Sequence, residues 1–127
     1  MKNYGESAKI AVQLLQENKV LTLGSAWNKA ICRQFPNSIF SQQKSCPRSA
    51  FFGLCEEGAV MGVAAGSYTK SKKNKSYALA ALAFLKKNPT LDVNEKSLWN
   101  SIKNTNGVTH NAQMHVVLSL WNSGLLK

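Results

Sequence analysis

The run Tyr68-Thr69-Lys70-Ser71-Lys72-Lys73-Asn74-Lys75 concentrates four ammonium groups, two aliphatic hydroxyls and a phenol in eight positions. These are groups that bind anions. The downstream pattern makes the run the start of a helix, with Ser71 or Thr69 as its cap. A helix N-terminus is partly positive, so each lysine there costs about 0.3–1 kcal/mol relative to an acid. A first turn shaped for stability alone would carry Asp or Glu. A bound anion, phosphate above all, would turn the conflict into attraction on the free N–H groups. Tyr68, lying outside the helices beside the lysines, could stack on an unpaired base. The candidate anion or nucleic-acid site is therefore Tyr68, Thr69, Lys70, Ser71, Lys72, Lys73 and Lys75. The alternative is a solvated charge run in an exposed loop.

A second group could supply nucleophilic chemistry. Cys46 precedes Pro47 at an expected helix start, where a thiolate is stabilised, and His110 or His115 could serve as its base. Nothing in the spacing brings them together, and a capping or buried thiol is the commoner role. Cys32 and Cys55 read as small core residues. His110 and His115, five apart, fall on poorly matched helical faces and lack the i, i+4 spacing of a helical metal pair. No close cysteine pair nucleates a zinc site, so neither metal nor cofactor is expected. The reading leans away from an enzyme.

Two further motifs fail on spacing. Gly62-Val63-Ala64-Ala65-Gly66-Ser67 has neither the glycine interval nor the lysine of a nucleotide loop. The segment Ala50 to Val60 has the rhythm of a helix-turn-helix, but that motif connects its helices through three or four residues. Here the next expected helix starts more than ten residues after Gly58, and Glu56-Glu57 would face phosphates badly.

The charge of the whole chain fits an anionic partner. Sixteen Lys and Arg against six Asp and Glu give +10, and Gly58 to Leu91 contains no acid. Such a field attracts nucleic acid, anionic membrane or an acidic protein, and it also serves solubility. No stretch approaches the roughly 18 apolar residues of a membrane span, and the N-terminal segment has no continuous apolar signal core. Three irregularly spaced cysteines do not describe a disulfide framework. A cytoplasmic protein without membrane attachment is expected.

The elements that would position these residues are helical. At 127 residues the chain can bury a core without disulfides or metal. Tyr4 to Asn18 shows helical spacing of apolar residues. Gly24-Ser25 offers a cap for a second helix that Pro36 ends, and a turn through Ser38-Ile39-Phe40 follows. Pro47 suits the first position of a third helix, with Ala50, Phe51, Leu54 and Cys55 inward and Gly58 as C-terminal cap. Gly58 to Gly66 reads as an apolar, partly buried loop with a short extended piece. A fourth helix spans Lys72 to Lys87, its stripe being Tyr77, Ala81, Phe84 and Leu85, and Asn88-Pro89 ends it. A fifth runs from about Asn94 to Lys103, burying Leu98 and Ile102 with Trp99 at the margin. Asn104-Thr105-Asn106-Gly107 is turn chemistry. A last helix covers Asn111 to Asn122, with Met114, Val117, Leu118 and Trp121 on one face, started by His110-Asn111 and stopped by Gly124. Leu125 and Leu126 fold back over its end. The expected fold is mainly α: a single domain, residues 1–127, in a compact bundle of five to six helices with a glycine-rich loop between the third and fourth.

Several short strings carry a resemblance: Cys46-Pro47, Gly53-Leu54-Cys55-Glu56, Tyr68-Thr69, Asn74-Lys75, Tyr77-Ala78, His110-Asn111-Ala112-Gln113-Met114 and Leu120-Trp121. They resemble a family of small bacterial proteins of uncharacterised activity, of the kind carried on integron cassettes or phages. The likeness covers most of residues 45–126. It implies a bacterial, cytoplasmic setting and brings no catalytic residue with it.

The resulting expectation is a non-enzymatic domain that binds a phosphate-bearing polyanion, with nucleic acid the leading partner. The rivals are an interaction module, either meeting an acidic protein or forming a homo-oligomer through Val60 to Ala65, and a small cysteine-dependent enzyme using Cys46.

Overall fold

Asn3 opens the first helix by accepting a hydrogen bond from the Glu6 N–H on its side chain. Glu6 supplies the acid that favours a first turn. The computed structural model describes residues 3–20, 22–102 and 107–127. Among these the fold is mainly helical: α1 Tyr4–Gln16, α2 Leu23–Gln34, α3 Ile39–Gln42, α4 Ser45–Glu56, α5 Lys72–Lys87, α6 Glu95–Ser101 and α7 Gln113–Asn122. The expected turn at Asn104–Asn106 lies outside the described residues.

α7 is the central element and packs against α1, α4, α5 and α6. Its apolar residues run around most of its circumference, as burial on several sides requires. Met114, Val116, Val117 and Leu120 are all fully buried. Trp121, expected inside, is only half-buried. Around α7 the core gathers Trp27, Phe51, Leu54, Leu85 and Leu98. The Trp27 and Phe51 rings stack at 5.5 Å.

Two glycines set how closely helices approach. A Cβ on Gly5 would lie 2.5 Å from the His115 carbonyl oxygen, where α1 crosses α7. A Cβ on Gly53 would lie 2.7 Å from both Cα and Cβ of Lys75, where α4 crosses α5. The second crossing brings the end of α4 against the first turns of α5.

Several expected boundaries move. Thr22, not Gly24-Ser25, caps α2, its hydroxyl accepting from the Ser25 N–H at 3.1 Å. The turn at Ser38 winds into the single turn α3. α4 starts at Ser45, two residues before Pro47, so Cys46 lies inside the first turn; Lys44 stands at the cap without a side-chain bond. Trp99 is buried rather than marginal, its ring edge-on to Tyr77 at 5.2 Å and its indole N–H donating to the Val108 carbonyl. Phe84, expected in the stripe of α5, is half-buried.

The segment after α4 is an apolar loop with one extended contact. Gly58 ends α4 at φ +73°. Val60 then forms an antiparallel bridge with Leu126, flanked by N–H bonds from Met61 to Leu125 and from Lys127 to Ala59, both 2.8 Å. The C-terminal leucines therefore fold back as expected and pin the loop against the end of α7. No helix among the described residues is long and apolar enough to cross a membrane.

Candidate anion-binding cleft

The loop that carries Tyr68 to Ser71 is held by an acid from outside it. Glu56, the last residue of α4, accepts on Oε1 from the Tyr68 N–H at 2.8 Å and the Thr69 N–H at 3.2 Å. Its Oε2 receives Lys75 Nζ at 2.6 Å, and Lys75 also reaches Glu57 Oε1 at 2.6 Å. Lys72 Nζ stands 3.6 Å from the same Glu56 oxygen. The Lys75 hydrogen bond, then the two backbone N–H groups, hold the Glu56 carboxyl down at about 2. Glu56 and then Glu57 push the Lys75 ammonium above its ordinary range.

The four lysines of the basic run thus have different surroundings. Lys75, with a side chain only 16 % exposed, is an internal strut between α4 and α5. Lys72 leans on Glu56 from the surface. Lys70 and Lys73 are exposed and make no ion pair with a described residue. The helix-dipole conflict at the start of α5 is met in part from within the chain, by Glu56 and Glu57, which directly precede the acid-free stretch.

Beside this anchored loop lies a cleft of about 370 Å³ between the first turns of α4 and the approach to α5. Ser45, Arg48 and Ser49 line one wall; Tyr68, Thr69, Lys70, Ser71 and Asn74 line the other. No carboxylate belongs to the lining. The first turns of both helices lack acids, and the positive end of α4 adds to the charges of Arg48 and Lys70. Arg48 is exposed and lies 4.4 Å above the Phe52 ring, which holds its guanidinium near the wall. Ser49 is 8 % exposed, faces the cleft, and makes no hydrogen bond with a described residue. Its hydroxyl oxygen is nonetheless open to solvent at the cleft, unlike Trp27 Nε1 and His115 Nδ1, which are buried without a partner among the described residues.

A polar chain stiffens the second wall. The Thr69 hydroxyl accepts from the Ser71 N–H at 3.1 Å. Ser71 caps α5, its oxygen accepting from the Asn74 N–H at 3.4 Å and from Asn74 Nδ2 at 3.0 Å. Asn74 Oδ1 in turn accepts from Gln113 Nε2 at 3.0 Å, and Gln113 Oε1 takes the Asn111 N–H at 2.6 Å. Gln113 is 2 % exposed, so this chain ties the cleft to the buried start of α7.

Cys46 is half-buried in the first turn of α4 and hydrogen-bonds neither histidine. The histidines instead meet each other, with rings stacked at 5.4 Å and 10°. Their expected mismatch of faces is overcome because His110 precedes the helix. Ala112, at φ +69°, folds it back over α7, where Nε2 accepts the Met114 N–H at 3.1 Å. Burial, then His115, pushes His110 below its ordinary range; Lys44 adds to this and Glu95 opposes it. His115 lines a separate hollow with Glu6 and Glu95. Cys55 is buried, and burial pushes its thiol far up. Among the described residues no group of three His, Cys, Asp or Glu is placed to hold a metal ion.

Arg48, Ser45 and Ser49 were missed in the sequence. The available signal was local: an acid-free first turn with a cation and two serines around Pro47. Only tertiary structure sets it opposite Lys70.

The chain matches the family of unknown function DUF6979 over residues 1–127, and it belongs to that family. This agrees with the resemblance to an uncharacterised family read from residues 45–126. Neither a curated protein nor a solved structure matches it.

Proposed function

We propose that this protein is a non-enzymatic binding domain for phosphate-bearing polyanions, with nucleic acid as its partner. The observation that carries the reading is the cleft whose walls present Arg48, Lys70 and several hydroxyls and no carboxylate. Exposed Lys73 extends the positive surface beyond the mouth. The chain's +10 charge supplies the long-range field that brings a polyanion to it. Lys75 and Glu56 act as scaffold, holding the loop in register. Catalysis is left out of the reading because Cys46 and the histidine pair are not hydrogen-bonded to each other. Three free cysteines favour a reducing compartment such as the cytoplasm.

Fluorescence anisotropy with short single-stranded DNA and RNA tests the proposal. Three cations on phosphates predict a log–log salt slope of about −2. Absence of binding at low salt overturns it.

A second reading rests on a different observation. Ile39 and Phe40 are adjacent on α3 and stand 68 % and 82 % exposed, which favours a protein contact. A concentration-dependent mass in light scattering that disappears in Phe40→Ser would select that reading.

A further inference from the structure

Resting on the nucleic-acid reading above, we infer that the cleft is a receptor for a terminal phosphomonoester, the phosphorylated end of a strand, rather than a stretch of an internal backbone track. The inference stands on three features.

The first is charge. Arg48 and Lys70 are the two cations in the lining, which holds no carboxylate; Glu56 stands behind the wall, where it is paired with Lys75 and Lys72. A phosphomonoester carries close to two negative charges at neutral pH, with a second pKa of about 6. An internal phosphodiester carries one, which would leave half of the positive charge unmatched.

The second is the number and placement of donors. Ser45 and Ser49 present hydroxyls on the wall opposite Thr69 and Ser71. The oxygens of Thr69 and Ser71 already accept from backbone N–H groups, so their O–H groups are the donors left to face a ligand. Together with the guanidinium and the ammonium, these donors surround the ligand from both walls. A terminal phosphate offers three acceptor oxygens to such a set, while a diester offers two and must carry both ester arms out through the mouth.

The third is the position of Ser49. The residue is more than nine-tenths buried, lines the cleft and hydrogen-bonds no described residue, so its hydroxyl is left for a ligand that enters. The volume, about 370 Å³, lies near the small end of the ligand-pocket range, matching a single terminal group better than a groove followed by many nucleotides.

Competition against an internally labelled 12-nucleotide single strand tests the inference, using unlabelled strands ending in 5′-phosphate, 3′-phosphate or hydroxyl at both ends. One phosphorylated strand should compete about tenfold better than the hydroxyl-ended one, the worth of one charge-assisted hydrogen bond. The preference should shrink from pH 7 to pH 5 as the monoester takes up a proton. Ser49→Ala should remove most of the preference, weakening the phosphorylated strand more than the hydroxyl-ended one, with the melting temperature unchanged; exposed Arg48→Gln should also reduce it. Equal competition by all three strands overturns the inference and leaves the nucleic-acid reading standing. No binding by any strand overturns both. A preference that survives both Ser49→Ala and Arg48→Gln places the end elsewhere and overturns the inference as well.

Discussion

Glu56 and Lys75 face each other across the α4–α5 crossing at 2.6 Å, and the same carboxylate holds the backbone of Tyr68 and Thr69. One wall of the cleft therefore depends on an ion pair between residues 19 positions apart. Glu56 is held at about 2 when folded against an ordinary 4.5. A depressed carboxyl contributes stability above its unfolded value and loses it as pH falls toward the folded one. Stability should thus decline between pH 4.5 and 2, and Glu56→Gln should flatten that decline. Urea melts across this range check it; an unchanged pH profile in the variant would contradict the role given to Glu56.

Gly53→Ala should loosen the same wall. Its added methyl would stand 2.7 Å from the Lys75 backbone, so α4 and α5 must separate, at a cost of about 1–3 kcal/mol. Thermal unfolding should show the loss, and strand binding should weaken with it. A stability within about 0.5 kcal/mol of wild type, the range of an ordinary surface change, would show that the crossing is not as tight as described.

His110 gives a second pH dependence with a different origin. Its Nε2 must be unprotonated to accept the Met114 N–H, and burial and His115 push its pKa down, with Lys44 adding and Glu95 opposing. A histidine depressed in the folded state contributes stability above its unfolded pKa and loses it as pH falls below that. Melting temperature should begin to fall below about pH 6.5, and His110→Ala should be less stable at pH 7.5 but less sensitive to pH. Parallel profiles for the two proteins would rule the histidine cap out.

Thiol reactivity should follow burial. Cys32, expected in the core, is exposed because it lies on the outer face of α2, while Cys46 is intermediate and Cys55 buried. A disulfide reagent should modify Cys32 first in the native protein and reach Cys55 only with unfolding. Rapid native labelling of Cys55 would contradict the packing of α4.

What the sequence made legible was local. A cap at Ser71 or Thr69, Gly58 as a stop, a helix over Lys72–Lys87 and the fold-back of Leu125 and Leu126 after Gly124 each follow from local pattern; the pairing of Leu126 with Val60 does not. The cleft was only half legible. The lysine run identifies one wall, but Arg48 and Ser49 join it through the α4–α5 crossing, which depends on what Gly53 leaves room for. Glu56 read as an obstacle to phosphate because its partners, two backbone N–H groups and Lys75, lie 12 to 19 residues away. The histidine stack was hidden for another reason: it needs Ala112 in a left-handed conformation, which no alanine advertises.

The proposed binding depends on Arg48 and Lys70 holding the phosphate together. The most direct measurement is the salt dependence of single-strand binding by the double variant Arg48→Ala, Lys70→Ala, compared with wild type. Both side chains are exposed, so the fold should persist, while affinity should fall at least about tenfold and the log–log salt slope should shrink by about 1.4, two cations' worth. An unchanged affinity and slope would contradict the account.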